Sequence, residues 1–465
     1  MPVLGVGVDN DGGVGSLSAL GELQKRFCLI DLAGEIRVVD QQQVSDVLAG
    51  RNDGDIAFYR KADGVIRLRR HLESLPMSSN TKKVIDDFWA DPATHMYDRI
   101  AFSPLKQPKT TLNYWCGHTA NPLPGDCKVI GKYLLQVICN GDRSTCEYLL
   151  KFLAHMLQKP EEKPGIMPVL LGGQGTGKGI FFQLLRAIWS RTTLQVSDVG
   201  QVVGQFNAAL ERNYVICMDE ALFAGDRRSL DRLKSLITES QIHIEQKFQP
   251  ARSLESVHRF FAASNHDHFA HVERDDRRFL FLRVSGKHQR DISYFSKLCK
   301  AIGDPLAVGA FVDFLLNMDI SRFNVRERPE TREHTQQKLQ SLDGFERYWY
   351  EVLLTSDFSG RDNSIDKWEN AVFKPTSELL ASYRQFDKQA ERYRTAQESQ
   401  VSEALRKLCP SATPKRKMHQ PHGLGSKQQK RGFQLPDIQK ARSDFEAYVR
   451  CRIDWGEGDS EEEAA

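Results

Sequence analysis

The sequence predicts an α/β fold built on a parallel sheet that carries a phosphate-binding loop, and three segments carry that prediction. In the first, the apolar run Val169-Leu170-Leu171 meets Gly172-Gly173-Gln174-Gly175-Thr176-Gly177-Lys178-Gly179, and an amphipathic stretch from Ile180 to Trp189 follows. That order reads as strand, glycine-rich loop, helix. In the second, the apolar run Tyr214–Met218 ends in Asp219-Glu220. In the third, Val257–Ser264 ends at Asn265, and Leu280-Phe281-Leu282 adds one more apolar strand. Short continuous apolar runs suit strands buried on both faces of a parallel sheet. Polar residues at their carboxyl ends lie where ligands bind such sheets.

Each segment implies chemistry. Gly172, Gly177 and Lys178 fit G-x-x-x-x-G-K. The glycines let backbone N–H groups turn inward around phosphate oxygens, and the helix N-terminus adds partial positive charge. Lys178 reaches the β- and γ-phosphates of ATP. The next position, usually a Ser or Thr whose hydroxyl binds Mg²⁺, is Gly179. Asp219 is then expected to carry more of the metal, and Glu220 to polarise the attacking water. The Asn265 amide suits the γ-phosphate and the lytic water, although Ser264-Asn265-His266-Asp267 is also good turn chemistry. Asp275-Asp276-Arg277-Arg278-Phe279 precedes the last strand, where an arginine can reach a neighbouring subunit's γ-phosphate. Between the second and third strands, Ile242–Phe248 alternates, Pro250-Ala251-Arg252-Ser253 breaks the pattern, and the chain returns through Val257. This is a hairpin with a basic and aromatic tip. A lysine there can pair with phosphate and an aromatic ring can stack on a base.

In this order, GGQGTGKG, YVICMDE, IEQKF, FAASN and DDRRFLFL resemble the helicase domain of superfamily 3, above all the phage and plasmid primase–helicase family. Asn113–Gly117, Cys139–Asp142 and Leu153–Pro160 resemble that family's lead-in, so the resemblance covers roughly residues 85–285. It implies a ring-forming AAA+ ATPase, usually hexameric, that uses ATP and Mg²⁺ to move along single-stranded DNA in the 3′→5′ direction. It makes Gly179 a family variant. It implies that Lys247, Phe248 and Arg252 of the hairpin grip DNA, with Lys247 the family lysine. It favours Arg278, just before Phe279, as the arginine finger, with Arg277 paired to Asp275 or Asp276 or supporting the same phosphate.

Composition sets bounds and punctuation sets the organisation. The chain has 465 residues, which suggests two to four domains, and a net charge of only +3. DNA affinity must therefore come from local patches. No apolar run approaches the ~18 residues of a membrane span. The first residues lack the basic region of a secretory signal. Nine cysteines without a C-x-x-C pair fit reduced thiols, and Cys116, His118, Cys127 and Cys139 are too irregular for a zinc site. A cytoplasmic protein, in a bacterial host, is expected.

Residues 1–95 read as a small α+β domain with a disordered start, with a hairpin of Phe27–Ile30 and Glu35–Val39. They show no strand-borne pair of aspartates for a primase site, so a separate primase is an expected partner. Residues 96–160 read as a helical collar or lead-in, and 161–330 as the ATPase domain, with 322–340 linker-like. Residues 331–455 read as a helical, winged-helix-like DNA-binding domain, and 456–465 as an acidic disordered tail. In the C-terminal domain, Lys415, Arg416, Lys417, Lys427, Lys430 and Arg431 form a basic stretch without acids, suited to duplex DNA. The sequence thus points to an ATP-driven helicase acting on single-stranded and forked DNA in replication of a phage, plasmid or similar element. The alternatives are an origin-binding replication initiator and the helicase part of a primase–helicase.

Overall fold

The computed structural model describes residues 18–51, 55–76, 80–221, 223, 226–246, 251–359, 367–387, 397–420 and 427–456. The N-terminal unit begins with helix α1 (Ala19–Arg26), capped by Ser18, whose Oγ accepts from Gly21 N. Strands β1 (Phe27–Leu32) and β2 (Glu35–Asp40) form the expected hairpin, and α2 (Gln41–Leu48), α3 (Lys61–Ser74) and α4 (Thr81–Ala90) follow. Leu23, Phe27, Val38, Leu68, Leu72 and Phe88 make its own small core. The short strand β3 (Met96–Tyr97) pairs parallel with β1 and belongs to the same sheet.

Residues 96–127 are not helical, contrary to the collar reading. They hold β3, β4 (Arg99–Ala101), β5 (Thr111–Asn113) and irregular chain. The helical lead-in is confined to α5 (Lys128–Tyr133), a π-helical turn over Leu134–Ile138, and α6 (Arg143–Gln158). Asp142 caps α6 by accepting from Ser144 N and Thr145 N at 2.9 and 3.2 Å.

The central unit comprises β6 (Met167–Leu171), α7 (Lys178–Ile188), β7 (Thr193–Val196), α8 (Gly200–Val203), a 3₁₀ turn at Ala208–Arg212, β8 (Val215–Met218) and α9 (Arg227–Thr238). There follow the hairpin β9 (Gln241–Ile244) and β10 (Arg252–Glu255), then β11 (Arg259–Ser264), β12 (Phe279–Arg283), α10 (Ile292–Gly303) and α11 (Pro305–Leu316). Five strands form one parallel sheet in the order β12-β6-β11-β8-β7. Every residue of β6, β8 and β11 is buried, which is why their sequences are unbroken apolar runs. Full burial of one leucine such as Leu170 stabilises the fold by about 2 kcal/mol. The exceptions are Ser264 and Arg259, the latter fully buried at the head of β11. It donates to the Val257 and Glu162 carbonyls, both at 2.6 Å, and so ties the lead-in to the central strand.

The 322–340 stretch is not a linker. Its second half is helix α12 (Arg332–Gln340), which buries His334, Gln337 and Lys338. Phe269 N donates to Gln337 Oε1 at 2.9 Å, and Lys338 Nζ reaches the Val449 carbonyl at 3.3 Å, so α12 joins the central and C-terminal units. Its polar residues mimic a linker because they satisfy backbone groups in that joint. The C-terminal unit has the order α13 (Gly344–Thr355), β13 (Val372–Pro375), α14 (Thr376–Phe386), α15 (Glu398–Leu408), β14 (Thr413–His419), β15 (Gln428–Leu435) and α16 (Ile438–Val449). Its sheet has the order β13-β15-β14, and Trp349, Val352, Leu379, Leu405, Phe433 and Phe445 anchor a separate core. Of the segments expected to be disordered, 1–20 and 456–465, residues 1–17 and 457–465 lie outside the described residues, whereas Ala19 and Leu20 open helix α1.

Candidate nucleotide site and nucleic-acid surfaces

The loop after β6 takes its shape from two glycines. Gly175 has φ +74° and Gly177 φ +100°, and a Cβ at Gly177 would lie 2.8 Å from Phe295 Cε1. The loop is braced from outside the motif. Tyr133 Oη donates to the Gly177 carbonyl at 2.9 Å, and Gln289 Nε2 to the Gln174 carbonyl at 2.7 Å. The N-terminus of α7 has no side-chain cap, so its N–H groups face the cavity ready for an anion. Lys178 Nζ donates to the Gly172 and Gly173 carbonyls at 2.6 and 2.8 Å and to Asn265 Oδ1 at 2.8 Å. Burial pulls its pKa below the ordinary lysine value, while Asp219 and Glu220 oppose that shift. No atom lies within 4 Å of the place a Gly179 Cβ would occupy, so packing does not require glycine there.

The strand order places the other groups. Because β11 lies between β6 and β8, with Ser264 beside Leu171 and Ala262 beside Met218, Asn265 leaves the sheet between the loop and the acids. Asp219 is half-buried; its Oδ2 accepts from Gln195 Nε2 at 3.2 Å. Glu220 is exposed and has φ +53°, a left-handed conformation costly for a non-glycine residue and concentrated at functional sites. Lys178, Asp219, Glu220, Asn265, Gln183 and Phe295 line a cavity of about 430 Å³, within the range of small-ligand sites. Gly173 lies beside it, close to Gln289. Among the described residues no three His, Cys, Asp or Glu side chains cluster as a metal site. A single carboxylate such as Asp219 still fits Mg²⁺, which is commonly held by one or two carboxylates with substrate phosphates and water.

Arg277 and Arg278 stand at the opposite edge of the sheet. Phe279 is in register with Met167, whose N–H donates to the Arg278 carbonyl at 2.7 Å, whereas the loop begins beyond Leu171. The five residues of β6 separate them by ~16 Å along the strand. The ion pair expected of Arg277 is made by Arg278 instead. Arg278 is the partner of Asp276, at 3.6 Å, while Arg277 is exposed. The cause is local: Asp276 Oδ1 accepts from Arg278 N and Phe279 N, which turns the Arg278 side chain back over the buried carboxylate.

The nucleic-acid candidates separate in the same way. Lys247 and Phe248 lie outside the described residues. The β9–β10 hairpin that carries them is present, with Arg252 opposite Ile244. Arg252 is paired within its own chain. Its Nε and Nη2 donate to the two carboxylate oxygens of Glu211, each at 2.6 Å. A partner 41 residues away is invisible in the local pattern. In the C-terminal unit, Lys415, Arg416, Lys417, Lys427 and Arg431 are exposed, and Lys430 is half-buried. Arg416 faces Arg431 and Lys417 faces Lys430 directly across the β14–β15 ladder. Like charges in such pairs repel. No local pattern marks Tyr133, Gln289 or Phe295, which reach the loop only because α5, the turn before α10 and α10 itself pack against it.

Comparison with known proteins gives three findings. Residues 170–278 match a family described as of unknown function, DUF5906. Over 154 residues, 32% of the chain, the sequence is 28% identical to the DNA primase-polymerase of Nitratiruptor phage NrS-1. The match spans about a fifth of that relative's length (21%). The fold is similar to the solved C-terminal region of NrS-1, with TM-score 0.61 and 16% identity over 90% of this chain and 99% of that one. An A-form structure of the same region gives TM-score 0.59 and 14% identity, again over 90% and 99%. At these identities the likeness is one of fold. No described helix is long and apolar enough to cross a membrane.

Proposed function

We propose that this chain is the ATP-driven motor of a phage or mobile-element replication protein, a superfamily 3 helicase of AAA+ type that moves on single-stranded DNA as a ring. The observation that carries this reading is the convergence of Lys178, Asn265, Asp219 and Glu220 on one cavity at the carboxyl edge of a parallel sheet. The similarity to a phage DNA primase-polymerase supports the replication context. Lys178 exchanges its loop carbonyls for the β- and γ-phosphates. Asn265, released from Lys178, orients water, and Glu220 takes its proton. Bound through Asp219, Mg²⁺ would neutralise charge developing on the phosphates. Arg277, too far from its own loop, completes the site of a neighbouring copy. Strand displacement on a forked DNA tests the reading, and its loss in Lys178→Ala ties it to the cavity.

A second reading, a replication initiator that marks duplex DNA, is favoured by the opposed cations of β14 and β15. Specific retention of one duplex over a scrambled one, without strand displacement, would select it. Under either reading the C-terminal unit is the duplex-binding part, a winged-helix-like arrangement of four described helices and a small sheet. A cytoplasmic setting and a separate primase partner belong to the same proposal.

A further inference from the structure

A glycine-rich loop that can turn its N–H groups toward phosphate can as easily turn them away, because glycine accepts either sign of φ. A flipped peptide plane would present a carbonyl oxygen to the anion instead. In a trans peptide the carbonyl and the next N–H point in opposite directions, so a carbonyl held on one side of the loop fixes an N–H on the other. Three loop carbonyls are held in this way. Gln289 Nε2 donates to the Gln174 carbonyl at 2.7 Å, Arg290 N to the Gly175 carbonyl at 3.4 Å, and Tyr133 Oη to the Gly177 carbonyl at 2.9 Å. The N–H groups they orient are those of Gly175, Thr176 and Lys178. Residues 174–178 line the cavity, whereas Tyr133, Gln289 and Arg290 do not. The donors therefore stand behind the loop, and the N–H groups face the cavity.

The three donors belong to one frame. Tyr133 is fully buried at the end of α5, and the π-helical turn that follows offers its Val137 carbonyl to Ser285 N at 2.8 Å. That contact anchors the start of the turn bearing Gln289 and Arg290. Its far end is stiffened as well. The His288 ring stacks on Tyr294 at 3.9 Å with 4° between the planes, and Asp291 Oδ1 accepts from Tyr294 N at 2.9 Å. Arg290 has φ +64°. Such a conformation is costly for a non-glycine residue and persists where the surroundings over-determine it. Here it brings the Arg290 N–H onto the loop.

We propose that Tyr133 and Gln289 are positioning residues that hold the loop's N–H groups in the phosphate-binding arrangement before any nucleotide arrives. They act on the di- and triphosphate portion of the ligand and not on its base. An anion then meets donors already aligned, and the ordering cost of the loop is met in folding instead of in binding. The proposal rests on the reading of this cavity as a nucleotide site.

The test uses the full chain with Mg²⁺ and measures the affinity of ATP, ADP and inorganic pyrophosphate by calorimetry, beside steady-state hydrolysis. Tyr133→Phe and Gln289→Met each remove one donor and keep the side chain's bulk. Ile180 N still donates to the Gly177 carbonyl at 3.0 Å, so Tyr133→Phe should unfold cooperatively near the wild-type temperature even if Gln289→Met does not. Each variant should weaken all three ligands by a common factor of about five, the worth of one net hydrogen bond. KM for ATP should rise by the same factor while kcat stays within about twofold, because the nest binds ground state and transition state alike. The double variant should lose roughly 25-fold if the two planes act independently. Unchanged affinity in Tyr133→Phe overturns the proposal, whether or not its melting temperature falls. So does a fall in kcat at constant KM, or weaker ATP binding with pyrophosphate affinity intact, since the residues would then act on the chemistry or on the base. If the wild-type chain binds none of the three ligands, the nucleotide-site reading fails and the positioning falls with it; a binding wild type beside equally binding variants sinks the positioning alone.

Discussion

Arg277→Ala should reduce the turnover of ATP about a thousandfold while leaving ATP affinity nearly unchanged. An arginine finger stabilises charge that develops only in the transition state, and a factor of 10³ corresponds to about 4 kcal/mol. The geometry excludes action within one chain, because Arg277 precedes β12 at the end of the sheet remote from the loop, ~16 Å away along β6. Arg277→Ala and Lys178→Ala subunits should thus complement each other. In an equal random mixture, a productive contact pairs an intact loop from the first with an intact arginine from the second, so about a quarter of contacts are active. Steady-state hydrolysis of the mixture should approach a quarter of the wild-type rate, where either variant alone is near background. Arg278→Ala should show a smaller loss, since its partner is its own Asp276. If the mixture stays inactive while the subunits demonstrably co-assemble, the shared-site reasoning is refuted. A larger loss in Arg278→Ala than in Arg277→Ala would restore the sequence-based assignment.

Glu220→Gln should keep ATP and Mg²⁺ bound while hydrolysis is lost, and Asp219→Asn should be partly rescued by excess Mg²⁺; equilibrium binding beside turnover distinguishes the two. Gly179→Ser should be accepted without loss of thermal stability and lower the Mg²⁺ concentration needed for half-maximal hydrolysis, because space is open at that Cβ. Arg416→Ala/Arg431→Ala should lower the salt slope of duplex binding by about 1.8, two phosphate contacts at ~0.9 each. It should not lower the melting temperature, since an opposed like-charge pair is removed. Burial pushes the pKa of His155 down from 6.5 to about 4, and those of His258 and His334 to about 3. The unfolded chain then binds more protons below pH 6.5, so stability falls as pH drops. Urea unfolding at pH 7.5 and 5.5 should differ by about 4 kcal/mol from these three groups, ~1.4 each.

The candidate nucleotide site was legible as a cluster because its groups sit at the ends of strands, and strands buried on both faces declare themselves as apolar runs. Lys178, Asp219, Glu220 and Asn265 could each be placed relative to a run, and the sheet then brings them together. The hairpin was legible from alternation alone. What resisted reading were partners set by packing between distant segments. Arg252 reads as a free cation until Glu211 is seen beside it. Arg277 and Arg278 are equivalent in a local pattern, and only the turn at Asp276 tells them apart. The helix α12 was hidden because its buried face is largely polar: Gln337 and Lys338 serve backbone groups of neighbouring units and His334 meets the Arg328 guanidinium, so no apolar periodicity marks it. Residues 96–127 failed for the converse reason, since an irregular chain with short strands carries no period of its own.

The central claim is that the cavity around Lys178 hydrolyses ATP in the service of movement along single-stranded DNA. Its most direct measurement is the steady-state rate of phosphate release by the full chain, with Mg²⁺, in the presence and absence of single-stranded DNA, beside the Lys178→Ala variant. The account predicts hydrolysis that rises with single-stranded DNA and disappears in the variant. Hydrolysis that persists in Lys178→Ala, or a wild-type chain that releases no phosphate with or without DNA, would contradict it.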